Sequence, residues 1–319
     1  MTGDDHAPPA SQVVGRFAPS PSGPMHLGNA STALLAWLDV RSRSGTMVLR
    51  VEDLDRDRCR PEYADLVRRD LEWLGLDWDV ETPQQSRRDQ AYRAALYRLR
   101  DQGLIYDCFC SRRELAIASA PHGSDSPYPG TCRALDDDAR ARRVADGRRP
   151  ALRVTLADRA VSVDDRLHGT ITQHLADDVG DIIVRRSDDL FAYQLAVVVD
   201  DADDGVNAVV RGDDLLASTP RQVALQAMLG LPIPAYAHVP LVVGMDGERL
   251  AKRHGAISLR ELRDRGVRSE SLVGRLAALN GIGDGDPASP SHLVAGFRLE
   301  QVSPNPVRLD VSAIASLVR

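Results

Sequence analysis

The chain has 319 residues, 43% of them hydrophobic, and a formal net charge of −6. That length supports a sizeable core and two or three structural units, and no apolar run reaches the span of about eighteen residues that a transmembrane helix needs. The acidic balance is a poor global signature for a nucleic-acid binder, so any polyanion has to be met by local arginine patches.

The opening MTGDDHAPPASQ is polar, acidic and proline-containing. It lacks a charged-then-apolar signal pattern and reads as a disordered tail, 1–12, of a cytosolic protein. Val13-Val14 reads as a short buried strand entering the loop GRFAPSPSGPMHLGN, followed by a helix from about Ala30 to Ser44 that Gly45 stops. Thr46–Val51 reads as a strand running into the acidic cluster Glu52-Asp53-Leu54-Asp55. Pro61 suits a first helical position, and Leu66, Val67, Leu71 and Leu74 form a helical stripe before Gly75. Tyr92, Ala95, Leu96 and Leu99 mark another helix, ended by Gly103. Strand and helix alternate over 13–105, as in a parallel α/β sheet.

Residues 106–180 break that rhythm with Cys108, Cys110 and Cys132, the Pro/Gly/Ser stretch Pro121–Gly130, an arginine-rich helix near Ala139–Arg149 and short strands such as Ala151–Leu156. They read as an insertion. The α/β rhythm returns over 181–230, with a strand at Ile182–Arg185, a helix at Ala192–Val199 and a strand at Asn207–Arg211. Thr219 is the expected N-cap of a last helix, with Pro220 first and Gln222 closing a capping box, and Gly230 ends it. Over 231–319, Pro-rich turns and short helices suggest a small α-rich region.

Two segments carry chemistry. The loop Arg16–Asn29 opens a helix at His26-Leu27-Gly28-Asn29, and a helix N-terminus offers free N–H groups and positive partial charge to a triphosphate. Gly28 would admit close backbone approach, and His26 could donate to phosphate oxygens. The second segment is GERLAKRHG, Gly247–Gly255. Its Lys252 is the lone lysine among 40 lysine and arginine residues, in a chain where arginine serves nearly everywhere else. A position kept as lysine suggests a need for a compact ammonium, here to neutralise phosphate charge. Four cysteines are too few for a disulfide scaffold, and the grouping of Cys108, Cys110 and Cys132 points to a metal site.

These motifs resemble those of the class I aminoacyl-tRNA synthetases. His26-Leu27-Gly28-Asn29 is similar to their HIGH motif, and Arg249-Leu250-Ala251-Lys252 to their KMSK motif, with alanine in place of its serine. GRFAPSPSG (Gly15–Gly23), LRVEDLD (Leu49–Asp55) and VVRGDDLLASTPRQ (Val209–Gln222) resemble the glutamate branch, and the likeness runs from about Val13 to His254. It implies a Rossmann-like parallel sheet with a zinc-bearing insertion and a stem-contact-like C-terminal region. It implies ATP with Mg²⁺ as a substrate, bound by His26, Gly28, Asn29 and Lys252, with His26, Gly28 and Lys252 catalytic. L-glutamate would be held by Arg16, Phe17, Ala18, Pro19, Ser20, Glu52, Tyr193 and Arg211, with Glu52 near the ammonium and Arg211 facing a carboxylate.

Only about 65 residues follow Lys252, too few for the anticodon-reading domain expected of a full glutamyl-tRNA synthetase. Val197 stands where the full-length enzymes usually carry asparagine. Both features are similar to the truncated paralogues of that branch, which attach glutamate to queuosine in the anticodon of tRNA(Asp). Those paralogues have a structural zinc held by three cysteines and a tyrosine, here Cys108, Cys110, Tyr128 and Cys132, with His122 the rival for the fourth place. Two other readings stand beside this one: a minimal glutamyl-tRNA synthetase charging a tRNA 3′ end, and a non-catalytic RNA-binding paralogue.

Overall fold

The computed structural model describes residues 12–111, 113–114, 127–156, 158–248 and 258–310. The first α/β stretch runs β1 (Val14–Phe17), α1 (Leu27–Ser42), β2 (Thr46–Leu49), α2 (Pro61–Leu74), β3 (Val80–Glu81) and α3 (Asp89–Asp101). Next come β4 (Ile105–Cys108), α4 (Asp137–Ala145), β5 (Ala151–Val154), β6 (Ala160–Asp165), β7 (Gly169–His174) and β8 (Ile182–Arg185). The chain then forms α5 (Tyr193–Asp203), β9 (Ala208–Gly212), α6 (Thr219–Leu229), β10 (Ala235–Val239) and β11 (Val242–Val243). Helices α7 (Leu259–Asp264), α8 (Ser269–Leu279) and α9 (Pro290–Val294) follow, and β12 (Val307–Arg308) pairs with β11.

The main sheet has the order β3-β2-β1-β9-β10-β6-β7 and is parallel except for the β6–β7 hairpin at its edge. Strand β1 lies between β2, reached directly through α1, and β9, reached after the long excursion through β4–β8. Strand order therefore reverses at β1, and the crevice beyond the carboxyl ends of β1 and β9 is where an open α/β sheet takes its ligand. Helix α1 is apolar on almost every side, from Leu27 and Ala30 to Leu38 and Val40, so it is buried and packs in one core with β1, β2 and residues of α7 and α8. A second core joins α3, α5 and α6 to the insertion strands. Strands β4, β5 and β8 form a separate antiparallel sheet.

Several boundaries differ from those expected. Helix α1 begins at Leu27, because the His26 side chain caps it. Gly45 is not the left-handed stop: Ser44 takes the positive φ of 52°, and Gly45 is needed because a Cβ there would stand 2.6 Å from the Val13 carbonyl oxygen. Thr219 is the first residue of α6, not its cap, and no capping box forms. The chain enters α6 already coiled in a 3₁₀ turn, Asp213–Ser218, so the Thr219 hydroxyl bonds to Leu215 O at 3.2 Å and Gln222 bonds to Gln194 at 2.8 Å. Helix α5 runs past Val199 to Asp203, because the half-buried Arg88 donates to Asp200 and the buried Arg50 donates to Asp201.

One strand appears where none was read, and one hairpin joins a different sheet from the one expected. Ala235–Val239, in the stretch expected to be α-rich, is a buried strand bracketed by Pro234 and Pro240, and it extends the parallel sheet. The β6–β7 hairpin, within the expected insertion, joins the same sheet through Asp165 opposite Tyr236.

Candidate active site

A cavity of about 570 Å³ opens at the sheet's switch point. Its wall includes Arg16 to Ser20 from the end of β1 and the turn after it, and His26, Gly28 and Asn29 from the start of α1. Glu52 comes from the turn after β2, Tyr193 from the first turn of α5 and Arg211 from β9. The structure thus brings together every residue expected to bind glutamate or ATP that falls within the described residues. Lys252 and His254 lie outside them. Their described neighbours frame the same place: Val242 lines the cavity, Ser258 forms a bridge with His26, and Leu259 N donates to Met25 O at 2.9 Å.

The α1 terminus works differently from the expectation of free N–H groups. His26 Nδ1 accepts from Gly28 N at 3.1 Å and Asn29 N at 3.3 Å, while Asn29 Oδ1 accepts from His26 N at 3.2 Å. Gly28 is small for this ring, since a Cβ there would stand 3.0 Å from it. Because Nδ1 is an acceptor, the proton of the neutral ring sits on Nε2, and burial keeps the ring's pKa below its ordinary value. What remains for an anion is a fixed Nε2–H donor and the helix dipole.

Behind the cavity lies a buried ionic network. Arg16 does not pair with Glu52: its Nε meets Asp201 at 3.3 Å and its Nη1 donates to Val210 O at 3.2 Å. Arg50, fully buried, reaches Asp201 at 2.6 Å, Asp204 at 2.9 Å and Glu52 at 3.5 Å. Burial pushes the Glu52 carboxyl up to about 7, against the pull of Arg50 and Arg16. Arg211 bonds to His238 and Thr219, and its buried Nη1 has no hydrogen-bond partner among the described residues. An arginine nitrogen left over in a buried polar site is available to a ligand carboxylate. Sequence reasoning missed Arg50, Asp201 and His238. The only local signals were a charged residue in a strand and the Asp200-Asp201 pair closing an apolar helix.

In the insertion, the sulfurs of Cys108, Cys110 and Cys132 lie within 4.8 Å of one another. Cys110 Sγ is 3.5 Å from Cys132 Sγ, close to the separation of about 3.7 Å set by two Zn–S bonds at a tetrahedral centre. The Tyr128 hydroxyl is 3.4 Å from Cys108 Sγ and 3.8 Å from Cys110 Sγ. Gly180, at φ 69°, lets the Tyr128 backbone come close enough for this, and the Arg153 guanidinium lies 3.7 Å over the Tyr128 ring. Three buried or half-buried thiols and a phenol facing one point are a fitting donor set for zinc. His122 lies outside the described residues. Helix α4 has no buried residue, and Arg140 on it pairs with Asp137 at 3.2 Å.

The family described as tRNA synthetases class I (E and Q), catalytic domain, matches residues 12–286. A glutamyl-Q tRNA(Asp) synthetase of Symbiobacterium thermophilum is 50% identical, over 96% of this chain and 98% of that protein. One of Nocardia farcinica is 50% identical over 89% of each. A glutamate–tRNA ligase 2 of Acidithiobacillus ferrooxidans is 43% identical, over 93% of this chain but 64% of that protein. Among solved structures, a glutamate tRNA ligase of Elizabethkingia meningosepticum in complex with its amino acid shares the fold, with a TM-score of 0.81 at 24% identity over 96% of this chain and 69% of that one. No helix among the described residues is long and apolar enough to cross a membrane.

Proposed function

The chain belongs to the class I (E and Q) tRNA synthetases, and on that premise we propose that it activates glutamate with ATP and transfers it to queuosine in the anticodon of tRNA(Asp). The observation that carries the reading is the single cavity that holds Arg16, Glu52, Tyr193 and Arg211 together with the His26 end of α1. Arg211 Nη1 and Arg16 offer charge to carboxylates, and Glu52 offers it to the ammonium. Glutamate so held presents a carboxylate oxygen to the α-phosphorus of ATP. A new P–O bond forms, the bond to the β-phosphate bridging oxygen breaks, and pyrophosphate leaves. His26 Nε2–H and Lys252 stabilise the charge that develops on the phosphates. In the second step a queuosine hydroxyl attacks the activated carbonyl. A C–O bond forms, the bond to AMP breaks, and the hydroxyl proton is released. Positioning and charge supply the catalysis, and no protein nucleophile is needed.

Room for the acceptor adjoins the first cavity. A second cavity of about 680 Å³ shares Ser20, Glu52 and Tyr193 with it and is lined also by Arg58 and Arg186. Val197, one turn after Tyr193, is buried in the second core and lines neither cavity, so an apolar residue there packs behind the site. Zinc held by Cys108, Cys110, Cys132 and Tyr128 would tie the insertion together and supply structural cross-linking. A cytoplasmic location goes with these substrates. The test is acceptor mapping: labelled glutamate is expected on the anticodon fragment of queuosine-bearing tRNA(Asp), and not on queuosine-free tRNA(Asp). Label on a periodate-sensitive 3′ ribose would point instead to a minimal glutamyl-tRNA synthetase.

A further inference from the structure

The reading above gives Arg211 to a substrate carboxylate, and the structure shows what aims it. Strand β10 places His238 beside Arg211 on β9, with no exposed surface on the ring. Arg211 Nε lies 3.0 Å from His238 Nε2, and Arg211 Nη2 donates to Thr219 Oγ1 at 2.9 Å. Arginine has no acceptor, so His238 Nε2 must be the unprotonated nitrogen of the ring. The ring proton is then on Nδ1, which faces Asp165 Oδ2 at 2.6 Å.

Asp165 is fixed in turn. It ends β6, and its Oδ1 accepts from Leu167 N and His168 N, each at 3.0 Å, and from His238 N at 3.3 Å. The Tyr236 ring lies 5.2 Å from the Arg211 guanidinium and covers its face. With Nε and Nη2 committed, Nη1 is the nitrogen left without a partner among the described residues, on a side chain that lines the cavity.

We propose that Asp165 and His238 are positioning residues for glutamate recognition: Asp165 holds neutral His238 with its proton on Nδ1, and His238 grips one edge of Arg211 so that Nη1 faces the substrate. The edge hairpin β6–β7 is thereby part of the amino-acid site, although neither of its strands lines the cavity. Burial keeps the His238 ring below its ordinary pKa, outweighing the pull of Asp165. Burial also works to raise Asp165, but the hydrogen bonds from His238, Leu167 and His168 hold it below the usual carboxylate range.

Asp165→Asn tests this. The amide oxygen takes the three backbone N–H groups, the NH₂ then faces Nδ1, and the ring must move its proton to Nε2, against Arg211. In glutamate-dependent pyrophosphate exchange, the KM for glutamate is expected to rise roughly tenfold or more, with the KM for ATP within about twofold. His238→Ala should behave likewise. His238→Gln, which restores an acceptor for Arg211 Nε, should recover most of the loss. Nitrogen-15 NMR of the unaltered protein without substrates should show His238 neutral and protonated on Nδ1. An unchanged glutamate KM in folded Asp165→Asn protein, an equal rise in both KM values, or a His238 proton on Nε2 in the unaltered protein would overturn the relay. An unaltered protein without any exchange would overturn the glutamate reading instead, and the NMR result would then decide the relay by itself.

Discussion

At the scale of single residues, Glu52 shows how far tertiary context changes a side chain. In sequence it is one of a run of acids, fit for a solvated turn. In the structure it is buried, with its carboxyl pushed up to about 7 chiefly by burial, although Arg50 stands 3.5 Å away. Only the ionised form can pair with an ammonium. Below about pH 7 Glu52 takes up a proton and that charge is lost, so glutamate affinity falls as pH falls. The KM for glutamate should climb by up to about tenfold per unit below that point, and plateau above it. A pH series of pyrophosphate exchange measures it, and a KM that stays flat between about pH 8 and about pH 6 would remove Glu52 from the ammonium site. The residue types of the site were legible in the sequence because each is chemically specific. Their protonation states were not, because burial and neighbours from distant strands set those.

At the scale of elements, the insertion shows what spacing alone can carry. Cys108 and Cys110 are two residues apart and Cys132 follows 22 later, which suggests a metal but leaves the geometry open. The fold closes the set by bringing β4 against the turn that holds Tyr128 and Cys132, with Cys132 N donating to the Tyr128 hydroxyl at 3.0 Å. Carefully purified protein is expected to contain one zinc per chain by elemental analysis, and Cys108→Ser to lose it together with several degrees of thermal stability. Zinc-free protein with an unshifted melting curve in the variant would end the assignment. Helix α1 was legible as an element, but its start was displaced by three residues. Histidine is not among the residues that sequence rules assign to caps, and its ring nitrogen took that role here.

At the scale of the whole molecule, the C-terminal helices are locked to the α/β unit by a pair that no local pattern announces. Arg263 on α7 donates to Asp70 on α2 at 2.6 Å, and α7 begins directly after Ser258, which bridges to His26. Asp70 is fully buried and burial pushes its carboxyl up to about 6, against the pull of Arg263. Arg263→Ala leaves that carboxylate without its hydrogen-bonded counter-charge and with only the weaker pull of Arg260. The variant should lose about 1–3 kcal/mol near pH 8, where Asp70 must ionise, and less near pH 5, where it can be protonated. The sign follows from a folded-state pKa above the ordinary 3.8: the ionised form is the one the fold disfavours, so the penalty appears as pH rises through about 6. Urea unfolding at both pH values reads it, and equal losses would show that Arg263 acts by packing alone.

Sequence by itself determined the α/β class, most helix and strand positions, the residue types of the cavity and the cysteine set, because periodicity, turn chemistry and ordered motifs are local. Only the tertiary structure decided that β10 and the β6–β7 hairpin complete the main sheet, that Arg50 and Asp201 lie behind Glu52, and that Asp165 and His238 stand behind Arg211. Those contacts join residues tens to more than a hundred positions apart. Each is settled by which buried polar groups remain to be satisfied once the strands have taken their order, and no single segment contains that information.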